Sequence, residues 1–462
     1  MQNINAIASS YRDNDGFVFK QNNIIYRLIK PSYFPHYDLL ISSKLYNELT
    51  SAGRLIAHEE INAHSLNIVE NCKIILPTQI PFISYPYEWS FDMWRDAAIV
   101  TLKIAIQSLQ KEMILKDATP FNIQFYNGRP VFIDTLSFEK YELDKPWVAY
   151  RQFCESFLAP LLLMHYGHRD LGKMLQIYPD GIPLEIVKTL LPLKAKFNIQ
   201  VYLHIWLQAR VSKNNINNNN VVKAFSKQKL LTLLNGLLIL VRNLEQQQQK
   251  SVWDDYYSET ILGNEYLSSK KILFEKFISS ISFKTAIDLG ANDGYFSLLL
   301  KDSAANIIAT DFDSNCINEL YTRLRKEKIK NILPLVNVLN APSPAIGWAN
   351  TERNSMTERL HADLVCSLAL VHHLAIACNV PLPLIAKWMH SMAHFLVVEF
   401  VPKSDEKVIQ LLKNREDIFD DYNIGNFKNI FSNYFEIMLE EKIGSTNRIL
   451  FLMKKINETV TN

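Results

Sequence analysis

The stretch that most constrains this chain is residues 285–300, TAIDLGANDGYFSLLL. Small and apolar residues run into Asp288, a turn of Gly290-Ala291-Asn292-Asp293-Gly294 follows, and an apolar run of helical character comes next. Glycines there let the backbone turn tightly and approach a ligand without a Cβ in the way. A strand, a small-residue loop and a helix in that order form the opening unit of a doubly wound α/β domain, whose ligands sit at the carboxyl ends of the strands. From residue 283 onward the pattern keeps alternating. It predicts strands at 285–289, 306–310, 332–338, 362–367 and 395–401, and helices at 294–301, 314–327, 382–391 and 406–414. A terminal strand pair is expected at 435–439 and 448–453. Such alternation implies a mainly parallel sheet covered by helices on both faces.

The loop chemistry narrows the ligand. The dinucleotide pattern G-x-G-x-x-G is absent; Gly290 and Gly294 bracket Ala-Asn-Asp, with Asp288 just before. Acids in a phosphate cradle repel the ligand, whereas they suit one bearing an amino group and a sulfonium. A second acid, Asp311, closes the next strand about twenty residues on, where an acid commonly binds ribose hydroxyls. On these residues the 283–453 region resembles a class I S-adenosylmethionine-dependent methyltransferase. DLGANDG is similar to that family's first motif and ATDFD to its second-strand acid. The resemblance implies that Asp288, Gly290 and Asn292, in the loop closed by Gly294, face the methionine part of the cofactor. It implies that Asp311 binds the ribose, with Asp313 the less favoured partner, and that Asn337, in Val336-Asn337-Val338-Leu339-Asn340, lies near the adenine.

Residues 363–374, DLVCSLALVHHL, form the second informative stretch. An apolar strand followed by His372 and His373 puts imidazoles at the carboxyl edge of the sheet, beside the expected methyl donor. Histidine titrates near neutral pH and can take a proton from an attacking hydroxyl or amine. The bland alternative is that these histidines cap a helix or pack against the cofactor, and sequence alone does not rank the two. Glu399, ending the next strand, is either a pocket residue or half of a structural ion pair. The 342–348 segment, Pro-Ser-Pro-Ala-Ile-Gly-Trp, is a rigid loop and a candidate substrate wall. Trp253, Tyr256, Tyr257, Tyr266 and Lys271 precede the first strand and either cover the cofactor or belong to the core.

The N-terminal half opens with short β segments around 16–29, separated by Asn- and Asp-rich turns. Pro77, Pro81 and Pro86 favour an extended stretch, helical spacing runs from Ser90 to about Met113, and 147–211 and 222–245 read as mostly helical. Asn-rich 214–220 and the glutamines at 246–249 are polar tracts that bury little, and are expected as loops or linkers. Between them and the N-terminus, Asp117, Asn122 and then Asp134 after a hairpin resemble the catalytic region of kinase-like phosphotransferases. There Asp117 would be the base, and Asn122 and Asp134 would hold Mg²⁺. The sequence departs from that family: Leu115 stands where its histidine is expected, no glycine-rich nucleotide loop is present, and only Lys20 or Lys30 nominally supplies the phosphate-binding lysine. The whole chain also resembles a bacterial group of large, nodulation-methyltransferase-like proteins, through segments such as ISYPYEWSFDMWRDAA, LKDATPFNIQF and PVFIDTLSF.

Length and composition set the outer bounds. At 462 residues the chain exceeds one ordinary core. The expected organisation is an α+β, kinase-like N-terminal domain over 1–210, a helical linker over 211–250 and a Rossmann-like α/β methyltransferase domain over 251–462. A net charge of +2 argues against a surface broadly coated for nucleic acid. Five cysteines without metal spacing, an N-terminus without a signal-peptide pattern and no long apolar run predict a cytoplasmic protein with no resident metal. The expected activity is methyl transfer from S-adenosylmethionine to an oxygen or nitrogen of a small-molecule acceptor. The competing readings are phosphotransfer by the N-terminal half and a non-catalytic cofactor-binding scaffold.

Overall fold

The computed structural model describes residues 6–66, 68, 71–210, 225–246 and 264–456. The 214–220 Asn tract, the glutamines at 247–249, and Trp253, Tyr256 and Tyr257 lie outside the described residues. The chain divides into two compact units, Met1–Gln248 with Pro344–Ser355, and Gln249–Ser343 with Met356–Asn462.

In the first unit, strands Gly16–Gln21, Ile24–Ile29, Lys73–Pro77 and His58–Ile61 lie side by side as an antiparallel sheet in that order. Asn22 and Asn23 turn the first hairpin at positive φ, a conformation that asparagine tolerates. A second hairpin, Ile123–Tyr126 with Arg129–Phe132, turns through Asn127-Gly128, the pair best suited to a tight two-residue connection. Helix Phe91–Gln110 buries Trp94, Ala98, Leu102, Ala105 and Leu109 and packs against Lys227–Arg242. The described part of the expected linker is therefore folded into this unit. The reason is the apolar face of Lys227–Arg242, whose Leu230, Leu234, Leu237 and Val241 are buried. The stretch after 147, expected to be mostly helical, is a run of short helices, with π-type turns at Cys154–Leu158 and Tyr202–Leu207.

Pro344–Ser355 also belongs to this unit, although it falls in sequence inside the expected methyltransferase domain. Ile346 and Arg353 pair as a bridge, the Tyr11 hydroxyl donates to Glu352 at 2.6 Å, and the Arg353 guanidinium lies 3.7 Å from the centre of the Phe121 ring. Trp348 within it is 74% exposed. Local turn chemistry forecast a rigid loop; its membership depends on contacts distant in sequence.

The second unit is built on seven strands: β1 (Thr285–Leu289), β2 (Asn306–Asp311), β3 (Ile332–Val336), β4 (Ala362–Ser367), β5 (Ala393–Phe400), β6 (Phe435–Lys442) and β7 (Ile449–Lys455). Their spatial order is β3-β2-β1-β4-β5-β7-β6. The first five run parallel, and β7 is antiparallel to both β5 and β6. The order reverses at β1, so the switch point where open sheets hold ligands lies between the carboxyl ends of β1 and β4. Helices α1 (Asn264–Ser279), α2 (Tyr295–Leu299) and α3 (Ser314–Glu327) supply apolar side chains to the core beneath it, including Phe274, Phe277, Phe296 and Leu320. Strands buried along nearly their whole length, as β2 and β4 are, fit a sheet covered on both faces. Strand β3 ends two residues earlier than expected, which leaves Asn337 just beyond it.

Candidate functional site

Asp288 stands fourth in β1 and is 2% exposed. Its Oδ2 accepts the Ser297 hydroxyl at 2.6 Å, from the helix that follows the loop. Burial pushes its carboxyl up to about 6; the Ser297 bond and nearby Lys270 oppose that rise, while Asp311 adds to it.

The loop after β1 spends its own donors. The amides of Gly290 and Ala291 both donate to the Thr310 carbonyl, at 2.8 and 2.9 Å, and Gly294 donates to Ala291 at 2.8 Å. The Asn292 amide donates to Asp311 Oδ2 at 2.9 Å. A phosphate-binding loop keeps such amides for its ligand; this one uses them to fix itself to β2. Gly290 and Gly294 sit at φ +73° and +77°, and a Cβ on Gly294 would lie 2.5 Å from a Leu320 methyl. A Cβ on Gly290 would meet Leu370 at 3.3 Å, so the segment after β4 closes over the loop after β1.

Asp311 is the last residue of β2 and accepts a second backbone amide, from Asp313, at 2.9 Å. Burial pushes its carboxyl up to about 6 against those two hydrogen bonds. Asp313 itself caps α3 by accepting the Asn315 amide at 2.8 Å. Asn337 donates its backbone amide to the Asp311 carbonyl at 2.8 Å. Its side chain is 3% exposed, and neither its Oδ1 nor its Nδ2 has a partner among the described residues. A buried amide left so costs about 1–3 kcal/mol per unmet group, and such orphans call for an explanation.

Beyond β4 the backbone is strained, with Ala369 at φ 50°. His372 is fully buried with no partner on either ring nitrogen among the described residues, and its ring centre lies 4.2 Å from that of His373. Burial, then neighbouring cations, holds His372 well below the usual imidazole range, and burial lowers His373 to about 4. Both rings are neutral at physiological pH. The Ser367 hydroxyl, at the end of β4, is likewise buried and unpartnered. Asn337, Ser367 and His372 thus place three orphaned polar groups at the carboxyl edge of the sheet. Ser367 escaped the sequence reading because a serine ending an apolar strand carries no signal of its own.

Glu399 resolves as an ion-pair residue. Lys270 Nζ lies 2.7 Å from its Oε2, Tyr266 donates to its Oε1 at 2.7 Å, and Arg448 approaches at 3.3 Å. Arg448 also makes a two-pronged contact to Asp405, at 2.7 and 2.9 Å. Lys271, by contrast, pairs at 3.8 Å with Glu275 on the surface. Sequence offered little warning of Lys270, set in the polar run SSKK. Arg448, one charge ahead of ILFLM, was the better clue.

In the first unit, Asn122 donates to Asp117 at 3.1 Å and Gln152 donates to it at 2.6 Å. Asp134 forms an ion pair with Arg27 and accepts the Ser137 hydroxyl. Lys20 and Lys30, the nominal phosphate-binding lysines, are exposed. Among the described residues, no group of three or more His, Cys, Asp or Glu side chains is arranged to hold a metal.

Over 459 residues the chain is 31% identical to nodulation protein NoeA of Rhizobium meliloti (strain 1021), a match covering 97% of this chain and 96% of NoeA. No family model matches it. Among solved structures, 44% of the chain overlays 93% of the N-methyltransferase NodS from Bradyrhizobium japonicum WM9 in complex with S-adenosyl-L-homocysteine, with TM-score 0.33 and 11% identity. Another overlay covers 47% of the chain and 45% of the bifunctional kinase-methyltransferase WbdD, with TM-score 0.30 and 15% identity.

Proposed function

The chain belongs to the family of nodulation protein NoeA, and from that premise we propose that it is a methyltransferase that binds S-adenosylmethionine at the β1–β4 switch point and methylates an oxygen or nitrogen of a small molecule. The observation that carries this reading is the orphaned amide of Asn337 beside an acid-lined loop whose own amides are consumed. A donor and an acceptor on one buried amide match the paired acceptor and donor of an adenine edge. Asp311 has lone pairs left for ribose hydroxyls, and Asp288 with Asn292 faces the amino-acid end. Carboxylates rather than free amides at this loop suit a cation and disfavour a pyrophosphate.

When bound, S-adenosylmethionine supplies an electrophilic methyl on a sulfonium. The chain's part is positioning and proton handling. His372, neutral and without a partner in the apo site, accepts a hydrogen bond from the acceptor's hydroxyl or amine. It orients a lone pair on that group and takes the proton as the new bond forms. The low basicity of both rings fits removal of a proton that becomes acidic late in the transfer. Leu370, against Gly290, helps exclude water from the loop.

Calorimetric titration of S-adenosylmethionine tests binding. Incubation of the protein with trideuteromethyl-labelled cofactor and extract from its host, read by mass spectrometry, tests transfer. Binding without any labelled product in host extract would favour a scaffold role over an enzyme.

The first unit we read as kinase-like in fold and inactive in phosphotransfer. Arg27 neutralises Asp134, and Asn122 commits its amide to Asp117 and Ser137. Magnesium-dependent ATP hydrolysis that disappears in Asp134→Ala would overturn this reading.

A further inference from the structure

Residues 186–244 carry nine Lys and Arg and not one Asp or Glu, in a chain whose net charge is only +2. Charge is therefore strongly polarised along the sequence, and the remaining residues are net acidic. Within this stretch the first unit also displays apolar side chains outward. Leu193 is 77% exposed, Phe197 89% and Ile199 66%, with Leu190 at 51%, Leu203 at 42% and Leu207 at 39%. Ile199, Leu203 and Leu207 recur every four residues, so they form a stripe along one helical face. The opposite face buries Val201, Ile205 and Trp206. The core is thus satisfied, and the outer stripe is additional to it. Leu184–Leu190 and the Leu193–Phe197 turn both pack on Tyr202–Leu207, so the exposed side chains project from adjoining elements. Single exposed leucines are ordinary, but a clustered set is not.

The cations interleave with that patch. The Lys194 and Lys196 ammonium groups lie 5.9 Å from the centres of the Tyr166 and Trp206 rings respectively. Neither lysine has a carboxylate partner among the described residues, whereas Lys188 pairs with Glu185.

We propose that this face docks on an anionic lipid surface. Aliphatic and phenyl tips enter the acyl boundary while flanking lysines stay at headgroup phosphates. Charge complementarity selects this occupant over a neutral membrane. The aliphatic character, with one outward phenyl ring, disfavours nucleic acid, where stacking aromatics and arginine dominate. No helix among the described residues is long and apolar enough to cross a membrane, so the attachment is peripheral. This inference stands independently of the methyltransferase reading.

The test is flotation of the full chain with vesicles of equal parts phosphatidylglycerol and phosphatidylcholine, against phosphatidylcholine alone, at low and high salt. Wild type floats with the anionic vesicles only, and less at high salt. Leu193→Ser with Phe197→Ser lowers the partition coefficient by about 10-fold or more, through lost apolar insertion. Lys194→Glu with Lys196→Glu lowers it at least about 20-fold at low salt. All four positions are exposed, so thermal melts of both variants match wild type. The proposal is overturned by wild type that does not float, by variants that float as wild type does, or by light scattering that shows a dimer lost in Phe197→Ser. The last assigns the face to a second copy of the chain. Oligonucleotide binding that the lysine pair abolishes and the apolar pair leaves intact, without vesicle binding, assigns it to nucleic acid and equally overturns it.

Discussion

Lys270 and Glu399 meet at 2.7 Å with 5% and 0% of their side chains exposed, and this buried pair joins α1 to the carboxyl end of β5. Burial lowers the Lys270 ammonium, and the Glu399 carboxylate opposes that shift; Glu399 itself is held below its ordinary value by Lys270 and Arg448 against its own burial. Such pairs add little net stability but are costly to break on one side. Glu399→Gln is expected to destabilise the second unit by about 3–5 kcal/mol, since it leaves the buried Lys270 without its counter-charge while Arg448 keeps Asp405. Lys270→Met alone strands the glutamate less completely, because Tyr266 and Arg448 still reach it. Urea unfolding of both variants measures the difference, and equal losses would contradict this asymmetry.

Asp288 and Asp311, as proposed cofactor ligands, are expected to make cofactor affinity pH-dependent. Both carboxyls sit at about 6 in the folded chain, against 3.8 for the ordinary group. The folded state therefore holds these protons more tightly than the unfolded one. Acidification from pH 7 towards pH 4 stabilises the apo protein through each group by up to about 3 kcal/mol. Ionised carboxylates are what a cationic ligand needs, so S-adenosylmethionine affinity falls as pH drops through 6. Asp311→Asn is expected to weaken cofactor binding by at least about 10-fold, an amount typical of one charged hydrogen bond, and to lower apo stability at neutral pH, because its Nδ2 would face one of the two backbone amides that Asp311 accepts. Calorimetry paired with thermal melts checks both losses.

His372 is expected to separate binding from transfer. His372→Ala leaves S-adenosylmethionine affinity within about 3-fold and lowers turnover by roughly 10²–10⁴-fold, the range ascribed to a positioned proton acceptor. Because burial keeps both imidazoles protonated only at acid pH, the rate stays flat from pH 6 upward unless the acceptor itself titrates. Labelled-methyl transfer across that range reads both effects.

Two glycines should respond in opposite directions. Gly294→Val places a branched side chain at φ +77° and against Leu320, for an expected loss of about 2–4 kcal/mol and of cofactor binding. Gly236 lies within helix Lys227–Arg242 with nothing within 4 Å of an added Cβ. Gly236→Ala is expected to stabilise the first unit by about 0.5–1 kcal/mol. Thermal denaturation distinguishes the two.

The strand–loop–helix around Asp288 was legible because its signals are local. Positive-φ glycines, an acid at a strand end and a second acid closing the next strand all fall within a short window of sequence. The alternation of β1–β5 followed from hydrophobic pattern, which two-sided burial writes directly into the residues. What sequence could not give were the pairings that depend on distant chain segments. Lys270 and Arg448 are separated by most of the second unit yet share Glu399. Arg27 pairs with Asp134, a residue that the kinase-like resemblance casts as a Mg²⁺ ligand, and nothing in the sequence around either announces the other. The orphaned state of Asn337 was equally invisible, since an asparagine after a strand reads as an ordinary turn residue.

The Pro344–Ser355 segment, counted with the first unit yet spliced between β3 and β4, bears on heredity as well as on folding. A recombination event that exchanged everything after residue 250 would import a foreign strap along with the new sheet. Tyr11, Arg12 and Phe121 would then face a segment that had not co-evolved with them. A chimaera joined near residue 250 keeps these contacts only if Pro344–Ser355 also comes from the parent of its N-terminal half, which takes two further junctions.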